Sequence, residues 1–584
     1  MKRLLNIIAL FAASFLLLQR CIGAHKAPPV ILVNATDADP LETCKRIFVQ
    51  LFESGNRVYM YGGRSWVRNG TQPWYPVCNH YLRIADFTRA RNLSDPTILD
   101  VKDIPGNITI FDKGAFWVDS KKAYIVGGEV DSEPWLSWEG ELLRSNYTAF
   151  KGSTIFSYGL ATEKWSSEPA VQPNSGAQVN DSFSDGAFAY NAEFGKAFYF
   201  SGNNWAGARR AYPNIGPEDD YEFVDRDHSE VSGNGNLLIF DTASFRWTNS
   251  TTDTQLTTTG TGSGQLVFLP STKSSSGGLA IFFGGQKRND QTMDMRKVLV
   301  YDSATSKFYS QITTSEGDHP EGRRSFCAVA VSAPDASSHN IFVYGGESTV
   351  HTDIPFSDMW ILSVPSFHWI KLDVQSLPAK FLGCTLVGGK YMLTYGGNST
   401  GSMGAGIQEH CDDQNYGLRL FDLTTLMWTS QYAGPASNKK NVFEIPKALY
   451  AIIGGNNQGG ATLTSPARGF ETTELASLFQ PTITVSSTEE SAVPSSSTNG
   501  PRSHSKSNNT SAIAGGVVGG ITALAIIIGI VFLILRWKKK KHGSQVPAFT
   551  PAVVGADAHQ PRLELVGEER LGPQSKPGLH EMYG

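Results

Sequence analysis

Three groups of residues combine types and spacing that could do chemistry. The run PEDDYEFVDRDHSE (217–230) sets Asp219, Asp220, Asp225 and Asp227 close enough to offer oxygen ligands to a cation. It lacks the glycine-punctuated spacing of a calcium loop, so a solvated acidic loop holding no metal is expected. Arg323 and Arg324 in PEGRRSF precede an apolar run and are candidate ligand-binding residues, set against ordinary ion pairing. Aromatics recur in long polar stretches: Trp66, Trp74 and Tyr75; Trp135 and Trp138; Trp205 and Tyr212. Flat side chains of this kind stack on sugar rings, form amphipathic protein contacts, or pack their own loops down.

Catalytic patterns are missing from the chain. The histidines, including His80, His228, His319, His351, His368 and His410, are scattered singly. There is no GxSxG, HExxH or phosphate-binding loop, and no CxxC or Cys/His cluster with zinc spacing. The expectation is a non-enzyme without metal or cofactor. A formal charge of −4 with 18% charged residues gives no basic footprint for nucleic acid.

The elements that would position these residues come as a repeat. Seven apolar runs end on a glycine pair or near-pair: YMYGG (59–63), YIVGG (124–128), FYFSG (198–202), IFFGG (281–285), FVYGG (342–346), LTYGG (393–397) and YAIIGG (450–455). Downstream, a strand ends on a polar or small residue and a large aromatic follows six positions later. Examples are Gly159 and Trp165, Asp241 and Trp247, Asp302 and Phe308, Ser363 and Trp369, and Asp422 and Trp428. Asp86 keeps the spacing, but Asn92 replaces the aromatic. Asp or Ser can open a tight reversal by accepting from backbone N–H groups ahead, and the aromatic then lies on the return strand. The glycines permit positive φ and close backbone approach.

These two marks, recurring in register, resemble the kelch repeat, in which ~50 residues form one four-stranded blade of a β-propeller. The resemblance spans roughly residues 40–480 and implies an all-β propeller. Seven glycine marks imply seven four-stranded blades, with six as the alternative. The last unit lacks a clear turn-and-aromatic half, which would come from 461–479, with Phe470 and Phe479, or from PPVILVN (28–34). The resemblance also implies that Arg323 and Arg324 face a central opening where some kelch proteins bind ligands. Loop lengths differ around the ring: 23 residues separate second glycine and aromatic after Gly285 and Gly346, but 37 after Gly128, 45 after Gly202 and 31 after Gly397. Binding usually resides in loops that vary on a rigid scaffold.

The chain ends read as follows. Residues 1–23 have the charge, apolar core and small-residue layout of a secretory signal peptide. Residues 24–480 form the extracellular propeller, and 481–511, rich in Ser and Thr, a stalk. Residues 512–535 are 24 uncharged residues, enough to cross ~30 Å of hydrocarbon as one transmembrane helix. The following RWKKKKH places 536–584, a disordered tail, on the cytoplasmic side. GGVVGG offers overlapping GxxxG spacings for a dimer through the span. N-glycosylation sequons occur at Asn34, Asn69, Asn92, Asn107, Asn146, Asn180, Asn249, Asn398, Asn508 and Asn509, none beyond the span. Cys44 with Cys78, and Cys384 with Cys411, are the pairings that sequence proximity suggests.

The layout resembles the membrane-anchored kelch surface proteins of filamentous fungi. The expected function is a type I plasma-membrane binding module for a protein or a cell-wall or surface glycan. The alternatives are a galactose oxidase-like copper radical oxidase, whose ring is also kelch-type, and a receptor signalling through its tail.

Overall fold

The computed structural model describes most of residues 46–479; the main stretches outside the described residues are 1–45, 129–153, 206–230, 251–260, 270–277, 400–414 and 480–584. The signal, stalk, span and tail therefore fall outside, as do Trp135, Trp138, Tyr212, the acidic run and the sequons at Asn34, Asn107, Asn146, Asn180, Asn508 and Asn509. Among the described residues no helix is long and apolar enough to cross a membrane.

Six blade sheets follow one another along the described chain, each with four antiparallel strands, and that of blade 5 gains a short parallel fifth strand, Thr314–Ser315, at its outer edge. Blade 1 comprises Gln50–Ser54, Arg57–Tyr61, Tyr81–Asp86 and Leu99–Asp103. Blade 2 comprises Ala115–Val118, Lys122–Val126, Thr154–Gly159 and Lys164–Pro169. Blade 3 is built from Ala187–Asn191, Lys196–Phe200, Leu237–Asp241 and Arg246–Ser250. Blade 4 uses Gln265–Leu269, Leu279–Phe283, Lys297–Asp302 and Lys307–Ile312. Blade 5 uses Cys327–Ser332, His339–Tyr344, Met359–Val364 and His368–Leu372. Blade 6 ends the series with Gly383–Val387, Tyr391–Tyr395, Leu418–Asp422 and Met427–Thr429.

Each blade seam carries its own apolar core. The seam between blades 6 and 1 buries Val49 and Leu51 against Leu393 and Leu420, so the ring is closed. Among the described residues no strand is donated to blade 6 from the opposite terminus, and PPVILVN (28–34) lies outside them. Closure is by this packing and by Gln431–Tyr432 pairing with Arg91–Asn92. Four of the six third strands turn as the sequence suggests: Asp86 accepts from the N–H of Thr88, Asp241 from those of Ala243 and Ser244, Asp302 from that of Ala304, and Asp422 from those of Thr424 and Thr425. The aromatics then reach the preceding blade, as when the Trp369 Nε1–H donates to the Met295 carbonyl at 3.0 Å. Burying such a ring with its N–H satisfied supplies apolar area without a stranded donor.

Six blades, not seven, make the ring. YAIIGG is not a strand: Lys447–Ile453 is a helix, α1, with Leu449 and Ile453 buried four residues apart. Gly454 follows it at φ +82° and returns its N–H to the Tyr450 carbonyl, so the same glycine that ends strands elsewhere here ends a helix. Phe470 and Phe479 do not lie on outer strands either. Phe479 ends a second short helix, α2 (Thr473–Phe479), and stacks on Phe470.

Cysteine pairing also departs from the sequence expectation. Cys384 bonds Cys327, not Cys411, with the two Cα atoms 5.8 Å apart. The two residues sit near the starts of the first strands of blades 5 and 6, which the ring brings side by side although 57 positions separate them. Cys44 and Cys411 lie outside the described residues.

Candidate binding site

The glycine ends of the blades meet on one face. At five of the six seams the chain entering the next blade passes so close to the first glycine that a side chain would not fit. A Cβ on Gly345, for example, would lie 2.3 Å from the Ala379 carbonyl oxygen. The second glycine instead uses this approach: the N–H groups of Gly63, Gly128, Gly285, Gly346 and Gly397 donate to Phe111, Phe183, Arg323, Ala379 and Arg46 respectively. FYFSG fits the same pattern because Ser201 adopts φ +62°.

Inside these contacts lies a second ring that the sequence reading missed. Phe48, Lys113, Asp185, Ser263, Ser325 and Phe381 each stand two residues before the first strand of a blade, and each has φ between +54° and +59°. Their backbones bond from blade to blade: Phe48 N–H to Phe381 (3.0 Å), Phe381 to Ser325 (3.0 Å), Ser325 to Ser263 (2.9 Å), Ser263 to Asp185 (2.7 Å) and Asp185 to Lys113 (2.8 Å). All six side chains are half-buried. One arc is aromatic: the Phe48 and Phe381 rings lie 4.7 Å apart, with the Lys113 ammonium 5.0 Å from Phe48. The other is polar, with the Ser263 hydroxyl donating to Asp185 at 2.6 Å. The shared spacing before each first strand was the available signal. Residue type hid it, because the constraint acts on the backbone.

Charged groups flank this collar on blades 4 to 6. Glu347 is 1% exposed and accepts from Lys380 at 2.5 Å and from Arg324 at 2.9–3.0 Å, while Arg324 also bonds Gln286 of blade 4. Arg324, a candidate from sequence, thus belongs to a chain of side chains crossing two seams. Arg323 has a different place. It is fully buried, paired bidentately with Asp358 at 2.7 and 3.0 Å, and lies over the Phe356 ring at 4.3 Å. Burial pushes the Asp358 carboxyl up, but Arg323 and the Trp360 N–H more than offset this and hold it below the usual carboxylate value. Arg323 therefore braces blade 5 and does not line the opening.

At the seam of blades 6 and 1, Arg46 lies over Tyr395 and Arg83 bonds Asn79. Burial, and then the neighbouring Arg46 charge, push the Arg83 guanidinium down to about 9, so it remains charged at neutral pH.

The rim aromatics occupy extensions of this face. Trp66 and Trp74 lie on a strand pair, Arg64–Asn69 and Gln72–Cys78, that starts at Gly63. Trp205 lies on Asn203–Trp205, between Phe183–Ser184 and Val231–Gly233. The backbone places the Arg64–Cys78 strand pair of blade 1 and the Asn203–Trp205 and Val231–Gly233 strands of blade 3 at the glycine ends of their blades. Of the sequons among the described residues, Asn92 and Asn249 are half-buried, whereas Asn398 is 2% exposed. With Cys327 and Cys384 bonded to each other, neither can cross-link to a tyrosine in the manner of the copper oxidases.

Repeated glycine seams, aspartate turns and outer aromatics on a closed ring are the marks of a kelch-type β-propeller fold, here of six blades. A family profile described as the KLHDC2/KLHL20/DRC7 Kelch-repeats domain matches residues 270–464. Among curated proteins, a "Kelch repeat-containing protein" of the fungus Arthroderma benhamiae is 26% identical over 562 residues, covering 89% of this chain and 79% of the relative.

Proposed function

We propose that this propeller is a cell-surface binding module that recognises a protein partner through the mouth of its central opening and has no catalytic role. The observation that carries this is the collar: six half-exposed side chains, one per blade, aromatic on one side and polar on the other. Rigid backbone bonding pre-organises them, which lowers the ordering cost of binding. A protein surface offers both apolar and polar groups to match. Arg324, held in place by buried Glu347, and the uneven loops widen the contact outward.

An extracellular place is supported by the Cys327–Cys384 bond, which persists in oxidising compartments. The signal-like N-terminus, the sequons on one side of residues 512–535 and the basic run after them point the same way. In this reading 512–535 anchors the chain in the plasma membrane.

The test is binding of the purified full-length chain to arrayed cell-surface proteins and, in parallel, to a glycan array. The informative variant is Ser325→Phe, since Phe48 and Phe381 show that the collar backbone accepts this side chain. A protein ligand whose affinity drops about tenfold or more, ~1.4 kcal/mol, in the folded variant supports the proposal. Unchanged affinity would overturn the site, and glycan binding alone would overturn the partner class.

A further inference from the structure

The turn between the third and fourth strands is built alike in five blades, each with one non-glycine residue at positive φ: Glu163, Phe245, Ser306, Phe367 and Leu426, at +48° to +57°. What stands at this position decides how the notch toward the preceding blade is filled. In blade 3 the Phe245 ring packs on Phe240 at 5.1 Å and fills it from within. In blade 5 the notch takes a separate segment. After blade 6 the chain turns back round the ring as a strap, and its Phe470 and Phe479 rings stand edge-on to Phe367 at 6.3 and 5.7 Å. Leu475 of α2 enters the core there, and Gln311 on the outer strand of blade 4 bonds Gly469 and Glu471. In blade 6, Leu426 packs on the core that α1 completes with Leu449 and Ile453. Two notches therefore hold a polypeptide segment by its bulky apolar side chains.

Blade 4 has the small Ser306 at this position, and the notch between blades 3 and 4 is a cavity of about 500 Å³, the size of sites that hold a ligand. Phe198 and Tyr301, buried with their rings 6.1 Å apart, form its apolar wall with Ile239. Phe194, 44% exposed at a hairpin tip, stands at its lip. Lys196, which is exposed, and Arg246 border it. The Asp241 carboxylate beside them is engaged by its own turn, accepting from the N–H groups of Ala243 and Ser244.

We infer that this notch docks a segment of a partner protein: a bulky apolar side chain against Phe198 and Tyr301, with acidic residues next to it facing Lys196 and Arg246. The seating of α1 and α2 gives the form of the occupant, and the cationic border gives its charge. The surface lies on the hairpin side of the ring, away from the glycine ends, so it does not depend on recognition at the collar.

The test selects random twelve-residue peptides displayed on phage against the purified full-length chain and measures the enriched peptides by fluorescence polarisation. Ser306→Phe fills the notch, and Phe245 and Phe367 show that this turn carries that side chain. Enriched peptides should pair Phe, Leu or Ile with Asp or Glu. Their affinity should fall about tenfold or more in folded Ser306→Phe, the scale of one buried apolar side chain. Lys196→Glu should weaken them roughly threefold, the scale of an exposed ion pair, and Ser325→Phe at the collar should leave them unchanged. Absence of any peptide sensitive to Ser306→Phe would overturn the inference, as would sensitive peptides without acidic residues. Peptides lost only in Ser325→Phe would support the collar and overturn this site. Self-association abolished by Ser306→Phe would give the notch to a second copy and overturn the partner.

Discussion

Removing the Cys327–Cys384 bond perturbs the ring at one defined seam. The bond closes a loop of 57 positions, and constraining a loop of that length in the unfolded chain is worth about 4 kcal/mol. Cys327→Ala/Cys384→Ala keeps most of the buried volume, so this loss should dominate. A propeller of this size unfolds with an entropy of roughly 0.8 kcal/mol/K, so the melting temperature should fall by roughly 5 °C. The assay is thermal unfolding of the full-length chain without reductant, followed by near-ultraviolet circular dichroism. Cys411→Ala serves as the comparison, since it leaves this bond intact. A double variant melting within ~1 °C of wild type, or Cys411→Ala falling by as much as the double variant, would refute the pairing and with it the adjacency of blades 5 and 6.

Three further outcomes are expected. His339 is buried with Nδ1 on the Ser332 hydroxyl, and burial lowers its pKa to about 4. Stability should therefore be full above pH 6.5 and fall by about 3 kcal/mol as pH drops to 4, a slope that His339→Gln should flatten in denaturant titrations. Gly345→Ala, at φ +71° with its Cβ against the Ala379 carbonyl, should cost ~2 kcal/mol or more, whereas Gly317→Ala, with open space around it, should be near neutral by the same titration. Glycopeptide mapping should find Asn398 unmodified, because its side chain is buried beside Lys380; a sugar there would contradict the position of that segment.

The parts of the fold legible in the sequence are those set by local chemistry. Asp241 and Asp422 mark their turns because a carboxylate next to free N–H groups makes the reversal by itself. The glycine pairs mark the seams because at five of them the next blade leaves no room for a Cβ, and at the sixth Ser201 adopts the same positive φ. The blade count was less legible. Gly454 satisfies a helix end with the same positive φ that Gly345 uses at a seam, and only Pro446 and the missing turn-and-aromatic half distinguish the two contexts. The cysteine partner depended on which strands the ring sets side by side, which proximity along the chain does not encode. The collar escaped because Phe, Lys, Asp and Ser share a backbone conformation there and no side-chain chemistry.

Recognition through the mouth of the ring is tested most directly by a hydrogen–deuterium exchange footprint of the full-length chain with its captured ligand. Protection is predicted at the six entries to the blades, 46–48, 111–113, 183–185, 261–263, 323–325 and 379–381, and at the residues just after the glycine pairs. Protection confined to the opposite hairpins, such as 192–195, 303–306 and 333–338, or to the strap at 442–479, would contradict it.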